Sequence, residues 1–351
     1  MSDRFLLYGC TGYVGREIAA MAVERGLDPV VAGRDPVGVR AVADDLGTEH
    51  RVFELDGSET MEEAVASAAA VLNCAGPFIH TAEPMVQACL RLDTHYVDIT
   101  GEIPVYQSLA DRDEQAKDAG VMLLPGAGFD VAATDCLALY LKQQLPSASQ
   151  LILAFHSQGP AGFPPGTLKS SIEMLPYGEK VRRNGRLVSP EGSPMTREID
   201  FGRGPMEAVR LPWGDVFTAY YSTGIPNIED YAVLPGPMAR GMALVEPLRP
   251  LFNSKLVRAL LTFMIGGGST AEERARSRTS VWGYVEDDQG RSTQARLHGP
   301  EIGVVWTGRA ALAAVERVLA GDAPPGFQTP AKAYGADFTL EVEGVTREEV
   351  A

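Results

Sequence analysis

Gly9, Gly12 and Gly15 in the run Tyr8-Gly9-Cys10-Thr11-Gly12-Tyr13-Val14-Gly15 lie between an apolar strand and a helix start, the order a dinucleotide pyrophosphate site requires. The first glycine permits a tight strand-to-helix turn, the second lets backbone approach the phosphates, and the third lets the helix pack close to the sheet. The helix that follows turns free N–H groups toward an anion. A glycine-rich turn without a ligand is the alternative reading of the same spacing. Beyond the second apolar run, Pro29-Val30-Val31-Ala32, comes Gly33-Arg34, where an NAD site carries Asp or Glu for the ribose 2′-hydroxyl. Arginine there suits a 2′-phosphate, so the expected cofactor is NADP(H). The competing readings are a solvated Arg34 and an Asp35 turned inward in its place. Asp56 is placed to meet the adenine amino group or, equally, to cap a turn.

A second group of residues could support hydride and proton chemistry. Asn73-Cys74-Ala75-Gly76-Pro77-Phe78-Ile79-His80 closes the fourth apolar run. Its small residues Ala75 and Gly76 allow close backbone approach, Pro77 and Phe78 could wall a nicotinamide, and His80 could donate a proton. The fifth run ends Tyr96-Val97-Asp98-Ile99-Thr100-Gly101-Glu102, and alternation sends Tyr96 and Asp98 to one face, with Asp98 and Glu102 near one crevice. His80, Tyr96, Asp98 and Glu102 are therefore the catalytic candidates. The alternatives are a histidine bonded to backbone and carboxylates that cap helices or form salt bridges. Asp130, in Gly126-Ala127-Gly128-Phe129-Asp130, reads as the cap of the next helix.

Positioning these loops together requires a particular scaffold. Six apolar runs alternate with helical segments through the first 125 residues, and they predict a doubly wound parallel sheet with its ligand beyond the strand carboxyl ends. The expected helices include one opened by a Thr60/Glu63 capping box, one around Pro84–Leu92, and one from about Val105 to Ala119. Past Pro146 the pattern becomes alternating, with a turn at Asn184-Gly185 and two β-rich runs, Arg278–Glu286 and Arg291–His298. The fold class is thus α/β: a Rossmann domain over 1–145, an α+β domain containing an antiparallel sheet over 146–302, and a C-terminal helix and tail over 303–351 that return toward the first domain.

With 351 residues, 45% hydrophobic and 22% charged, the chain supplies two ordinary cores. A net charge of -15 opposes general affinity for nucleic acid or anionic membrane, so cofactor phosphates need a local site. Cys10, Cys74, Cys89 and Cys136 lack Cys-x-x-Cys spacing and read as buried free thiols. The five histidines show no ligand spacing, so no metal is expected. No tyrosine has a lysine four positions on, which counts against a short-chain dehydrogenase mechanism. The chain runs straight into its first strand, which predicts no signal peptide and a cytoplasmic protein. The apolar stretch Leu256–Ile265 is too short to span a bilayer and reads as a core or interface helix, with a membrane-surface helix as the alternative.

The glycine loop, Asn73–Phe78, Tyr96–Glu102 and Gly128-Phe129-Asp130 together resemble the saccharopine dehydrogenase (saccharopine reductase) NADP-binding family, in particular its shorter bacterial members and the trans-acting enoyl reductases. Gly166–Ser171, Trp213-Gly214-Asp215, Tyr220–Asn227 and Thr329–Asp337 extend the resemblance over most of the chain. Cys10 departs from the alanine common in the first loop. The resemblance implies an NADP(H)-dependent oxidoreductase that transfers hydride to or from a small-molecule or carrier-bound acceptor, C=N or conjugated C=C. It transfers no specific catalytic residue. The rival from another class is a non-catalytic NADP(H)-binding sensor or scaffold. The expected partners are the substrate and no nucleic acid, and a homodimer is compatible with the sequence.

Overall fold

A computed structural model describes residues 4–190 and 196–350. Its first sheet contains β1 (Phe5–Tyr8), β2 (Pro29–Gly33), β3 (His50–Val52), β4 (Ala70–Asn73), β5 (His95–Asp98) and β6 (Met122–Leu124). A short strand, Gly326–Phe327, adds to the β6 edge, giving the all-parallel order 326–327, β6, β5, β4, β1, β2, β3. The four residues of β1 and of β4 are all buried, as strands covered on both faces must be. Helix α1 (Tyr13–Glu24) buries Gly15, Ile18, Ala19 and Ala22, one stripe at helical period. Helix Thr307–Leu319 packs on α1, β4 and β5, and Gly308 leaves room for the Met21 sulfur.

The second sheet runs in the order 196–200, 205–210, 227–232, 150–158, 278–286, 292–299, 346–350, with the hairpin 181–183/186–188 attached to strand 227–232. Its pairs are antiparallel except that strands 227–232 and 150–158 run parallel. The hairpin turns on Asn184 and Gly185, both at positive φ, as a two-residue connection with matched twist requires. The chain's end is shared between the sheets: 326–327 joins the first and 346–350 the second.

Several boundaries differ from the sequence expectation. Helix α3 (Glu59–Ala66) begins at Ser58 rather than at a Thr60/Glu63 box, and Glu59 and Glu62 in its first turn favour that end. Helix α4 (Phe78–Arg91) starts directly after Pro77 and carries Pro84 inside it. The segment 103–118 is two helices, Ile103–Ala110 and Asp113–Asp118, broken at Asp111 and Arg112. The third strand spans only three residues, and the last long helix starts at Thr307 after a wider turn over Ile302–Trp306 in which the Gly303, Val304 and Val305 N–H groups bond the Glu301 carboxylate. All four cysteines are free, with Cys10, Cys89 and Cys136 buried and Cys74 half-buried.

Candidate functional site

The loops beyond β1, β2, β4 and β5 form one wall of a cavity of about 1100 Å³, and the second domain forms the other. In the first loop, Gly9 stands at φ +93, and a Cβ there would lie 2.8 Å from the Ala75 nitrogen, so only glycine fits. A Cβ at Gly15 would overlap the Gly9 carbonyl, which is the close helix-to-strand packing expected of the third glycine. Gly12 caps α1 without a side-chain hydrogen bond, and no acid lies in the helix's first turn. The first N–H groups of α1 thus face the cavity loop with no negative side chain to satisfy them, which suits a pyrophosphate.

Gly9, Thr11, Gly12, Tyr13 and Val14 line the cavity, while Cys10 and Gly15 are buried beneath it. Arg34 lines the cavity, exposed and with no ion pair among the described residues. Asp35 accepts the Val37 N–H at 3.1 Å and so is committed to capping helix α2 (Pro36–Leu46). Asp56 lies outside the cavity wall, where its carboxylate accepts the Ser58 N–H at 3.0 Å; Glu54 and Leu55 occupy the wall instead. Ala75, Gly76, Pro77 and Phe78 all line the cavity. Asn73 shapes that loop by accepting the Ala75 N–H at 3.0 Å, and Thr81 donates to the Ala75 carbonyl at 2.6 Å.

The four catalytic candidates divide into two pairs. His80 and Glu102 line the cavity. Glu102 accepts the N–H groups of Phe78 and Ile79 at 2.8 and 2.7 Å and the Ser170 hydroxyl at 2.6 Å, so it caps α4 and bridges the domains. Burial raises its pKa, offset by the Ser170 and backbone donors. Tyr96 and Asp98 are fully buried behind the wall. The Tyr96 hydroxyl donates to Asp98 at 2.8 Å, and Asp98 also accepts the Thr100 and Gly126 N–H groups, each at 2.9 Å. Burial pushes the Asp98 carboxyl up to about 7, tempered by those donors.

Asp130, which sequence reasoning assigned to a helix cap, sits inside helix Phe129–Gln144 at a kink with Val131 at φ +87. A β-branched residue in that region is strained and persists only where its surroundings enforce it. The Asp130 carboxyl lines the main cavity and also a small adjoining one of about 40 Å³ with Ile99, Gly128, Thr167 and Trp213. Gly101 admits it: a Cβ there would stand 3.1 Å from the carboxylate oxygen. Burial pushes this carboxyl up to about 7, opposed by the indole of Trp213. Position on the ligand edge of a parallel sheet was the one sequence signal for it, because Trp213, which shares its pocket, comes from far along the chain.

The opposite wall is supplied by Leu168–Ile172 on helix Pro165–Met174 and by Leu211, Pro212 and Trp213. Glu173 points away to pair with Arg258 at 3.1 Å, and helix Asp215–Thr223 lies mostly buried behind the wall. Arg210, in the wall, is paired with Glu179. Residues 269–274 tie the second domain to α1: Tyr13 donates to the Ser269 carbonyl at 2.6 Å, and Arg274 bonds the Tyr13 hydroxyl at 2.9 Å and Glu17 at 2.8 Å.

Residues 5–124, which carry this glycine loop and the β2, β4 and β5 edges, match the model of the saccharopine dehydrogenase NADP binding domain. Those 120 of the chain's 351 residues are what it shares with that family. Among curated proteins, a trans-acting enoyl reductase of Mycobacterium ulcerans is 33% identical over 138 residues, 37% of this chain and 33% of that protein. The mouse saccharopine dehydrogenase-like oxidoreductase is 30% identical over 200 residues, 50% of this chain and 46% of that protein. The matched stretch is therefore less than half the length of either relative. Apo saccharopine dehydrogenase (L-Glu forming) of Saccharomyces cerevisiae covers 99% of this chain and 100% of its own at a TM-score of 0.65 and 12% identity, a shared fold across both domains.

Proposed function

We propose that this protein is an NADP(H)-dependent oxidoreductase that reduces a C=C bond conjugated to a carbonyl, or a C=N bond, in a small-molecule or carrier-bound acceptor. The observation that carries the reading is the alignment along one sheet edge of an uncapped α1 N-terminus, an Arg34 with no ion pair among the described residues, and a cavity that also holds the half-buried Asp130 carboxyl. Gly9–Val14 and α1 would hold the pyrophosphate, Arg34 the 2′-phosphate, and Ala75–Phe78 the nicotinamide ribose and ring. The cofactor, when bound, supplies hydride.

The chain's own residues do the rest. Reduction adds hydride at one atom of the double bond and a proton at the other. Asp130, largely neutral below pH 7, is the proposed donor; its carboxylate recovers a proton from water through the cleft. His80 is a second donor on the wall of the same cavity. Tyr96 and Asp98 act from behind as positioning residues that hold the loops 98–102 and 124–128. Glu102 fixes α4 and, through Ser170, the approach of the two domains. In this reading residues 1–145 bind the nucleotide, 146–302 wall the substrate, and 303–351 join the two sheets, in a cytoplasmic enzyme that can pair as a homodimer.

The test is NADPH oxidation followed at 340 nm with a 2-enoyl thioester and with a preformed imine as separate acceptors. Turnover with either, faster with NADPH than with NADH, supports the proposal. Tight NADPH binding without oxidation by either acceptor class would overturn it.

A further inference from the structure

We propose that helix Lys255–Phe263, with the end of the helix before it, is a docking surface for an anionic lipid bilayer. Among the described residues, the large apolar side chains left exposed are concentrated here: Leu248, Leu251, Leu256, Leu260, Phe263 and Met264 all lie on this hairpin. Leu256 is 80%, Leu260 63%, Phe263 87% and Met264 75% exposed. Their spacing, i, i+4, i+7 and i+8, puts them on one face of the helix, while the opposite side packs on helix Pro165–Met174. An apolar stripe of this size on a helix surface normally marks an interaction site.

Charge identifies the occupant. The chain carries 46 acidic residues and a net charge of -15, yet the segment 231–270 contains Arg240, Arg249, Lys255 and Arg258 against the single acid Glu246, and it stays net basic after Glu173 offsets Arg258. Lys255, next to Leu256 at the head of the stripe, is exposed, as is Arg240 on the preceding helix. The overall negative charge repels an anionic surface at long range, but at a Debye length of about 8 Å the local cations decide the contact. An apolar helix face with cations at its flank is the pattern of a helix lying in the headgroup plane. A second copy meeting the same face would bring these cations against each other. No helix among the described residues is long and apolar enough to cross a membrane, so attachment would be peripheral.

The docking face adjoins the cavity. Met238 and Ile265, at the two ends of the same helical hairpin, belong to the cavity wall. Docking therefore turns that side of the cavity toward the lipid, and the substrate class it fits is an acyl or comparably apolar chain delivered from the bilayer. This last step rests on the oxidoreductase reading; the docking does not, and the two are measured separately.

The experiment is co-sedimentation of the full chain, without cofactor, with vesicles of phosphatidylcholine alone and with 30% phosphatidylglycerol. Binding at least about fivefold greater on the anionic vesicles, falling with added salt, is expected. Leu256→Glu with Phe263→Glu should abolish it, and both sites are exposed enough to leave the thermal transition in place. Phe263→Trp provides a readout independent of those variants, since its emission should shift to the blue only with anionic vesicles. Absence of binding, binding unaffected by the double variant, or a concentration-dependent dimer that the double variant dissociates would overturn the proposal.

Discussion

Replacing Arg34 by alanine should cost this protein its preference for NADPH and leave NADH binding unchanged. Arg34 lines the cavity at the end of β2 and has no ion pair among the described residues, so its charge is not offset before the cofactor arrives. Asp35 caps α2 and lies off the cavity wall, so it is not placed to accept a 2′-hydroxyl. Two unit charges about 4 Å apart attract by about 1 kcal/mol in water and about 4 kcal/mol at an effective dielectric of 20. A hydrogen bond to a charged group contributes about 1.5–3 kcal/mol, and the exposure of Arg34 places it at the low end. A loss of about 1.5 kcal/mol is roughly tenfold in Kd. Isothermal titration of wild type and Arg34→Ala with both cofactors at fixed ionic strength measures it. Equal binding of NADPH and NADH by the wild type, or a variant that weakens both alike, would refute the reasoning.

Gly12→Val should abolish NADPH binding with a smaller fall in Tm than Gly9→Ala, because a Cβ at Gly12 meets the Gly9 carbonyl at 3.2 Å whereas Gly9 combines positive φ with a 2.8 Å approach to Ala75; calorimetry with and without NADPH separates the two. Asp130→Asn should slow turnover at least tenfold while NADPH binds normally, and the wild-type rate should fall as pH rises through about 7; a variant as fast as wild type would clear Asp130 of the role. Asp98 and Asp130 are both raised to about 7, so each favours the folded state fully below an unfolded pKa near 4 and loses that contribution as pH rises to about 7. Denaturant unfolding across that window should therefore be less pH-dependent in Asp130→Asn, and an unchanged slope would show that the carboxyl ionises normally. Glu102→Ala strands two α4 N–H groups and the Ser170 hydroxyl, a cost of about 1–3 kcal/mol visible as a lower Tm; no change would mean Glu102 does not hold the domains.

The glycine turn was legible because its signals are local. A buried strand, three glycines and a helix follow each other within 20 residues, and each glycine's role depends on neighbours in the same βα unit. Alternation correctly put Tyr96 and Asp98 on one face, where they are hydrogen bonded, but it does not tell a face that lines a cavity from one buried behind it. Asp56 shows the same limit: a strand-end aspartate serves a ligand or its own turn, and here the Ser58 N–H takes it. Asp130 was hidden for a longer-range reason. It shares a small pocket with Phe163, Thr167 and Trp213 from far along the chain, and the kink at Val131 breaks the helical pattern that made it read as a cap.

A crystal structure of the NADPH complex tests the central claim most directly. The pyrophosphate should lie on the Gly9–Gly12 loop, the 2′-phosphate on Arg34, and nicotinamide C4 should face the cavity between Phe78 and Asp130, with the Asp130 carboxyl within hydrogen-bond reach of an acceptor, directly or through one water. A nucleotide bound away from the glycine loop, or Asp130 and His80 both more than about 10 Å from C4, well outside that reach, would contradict it.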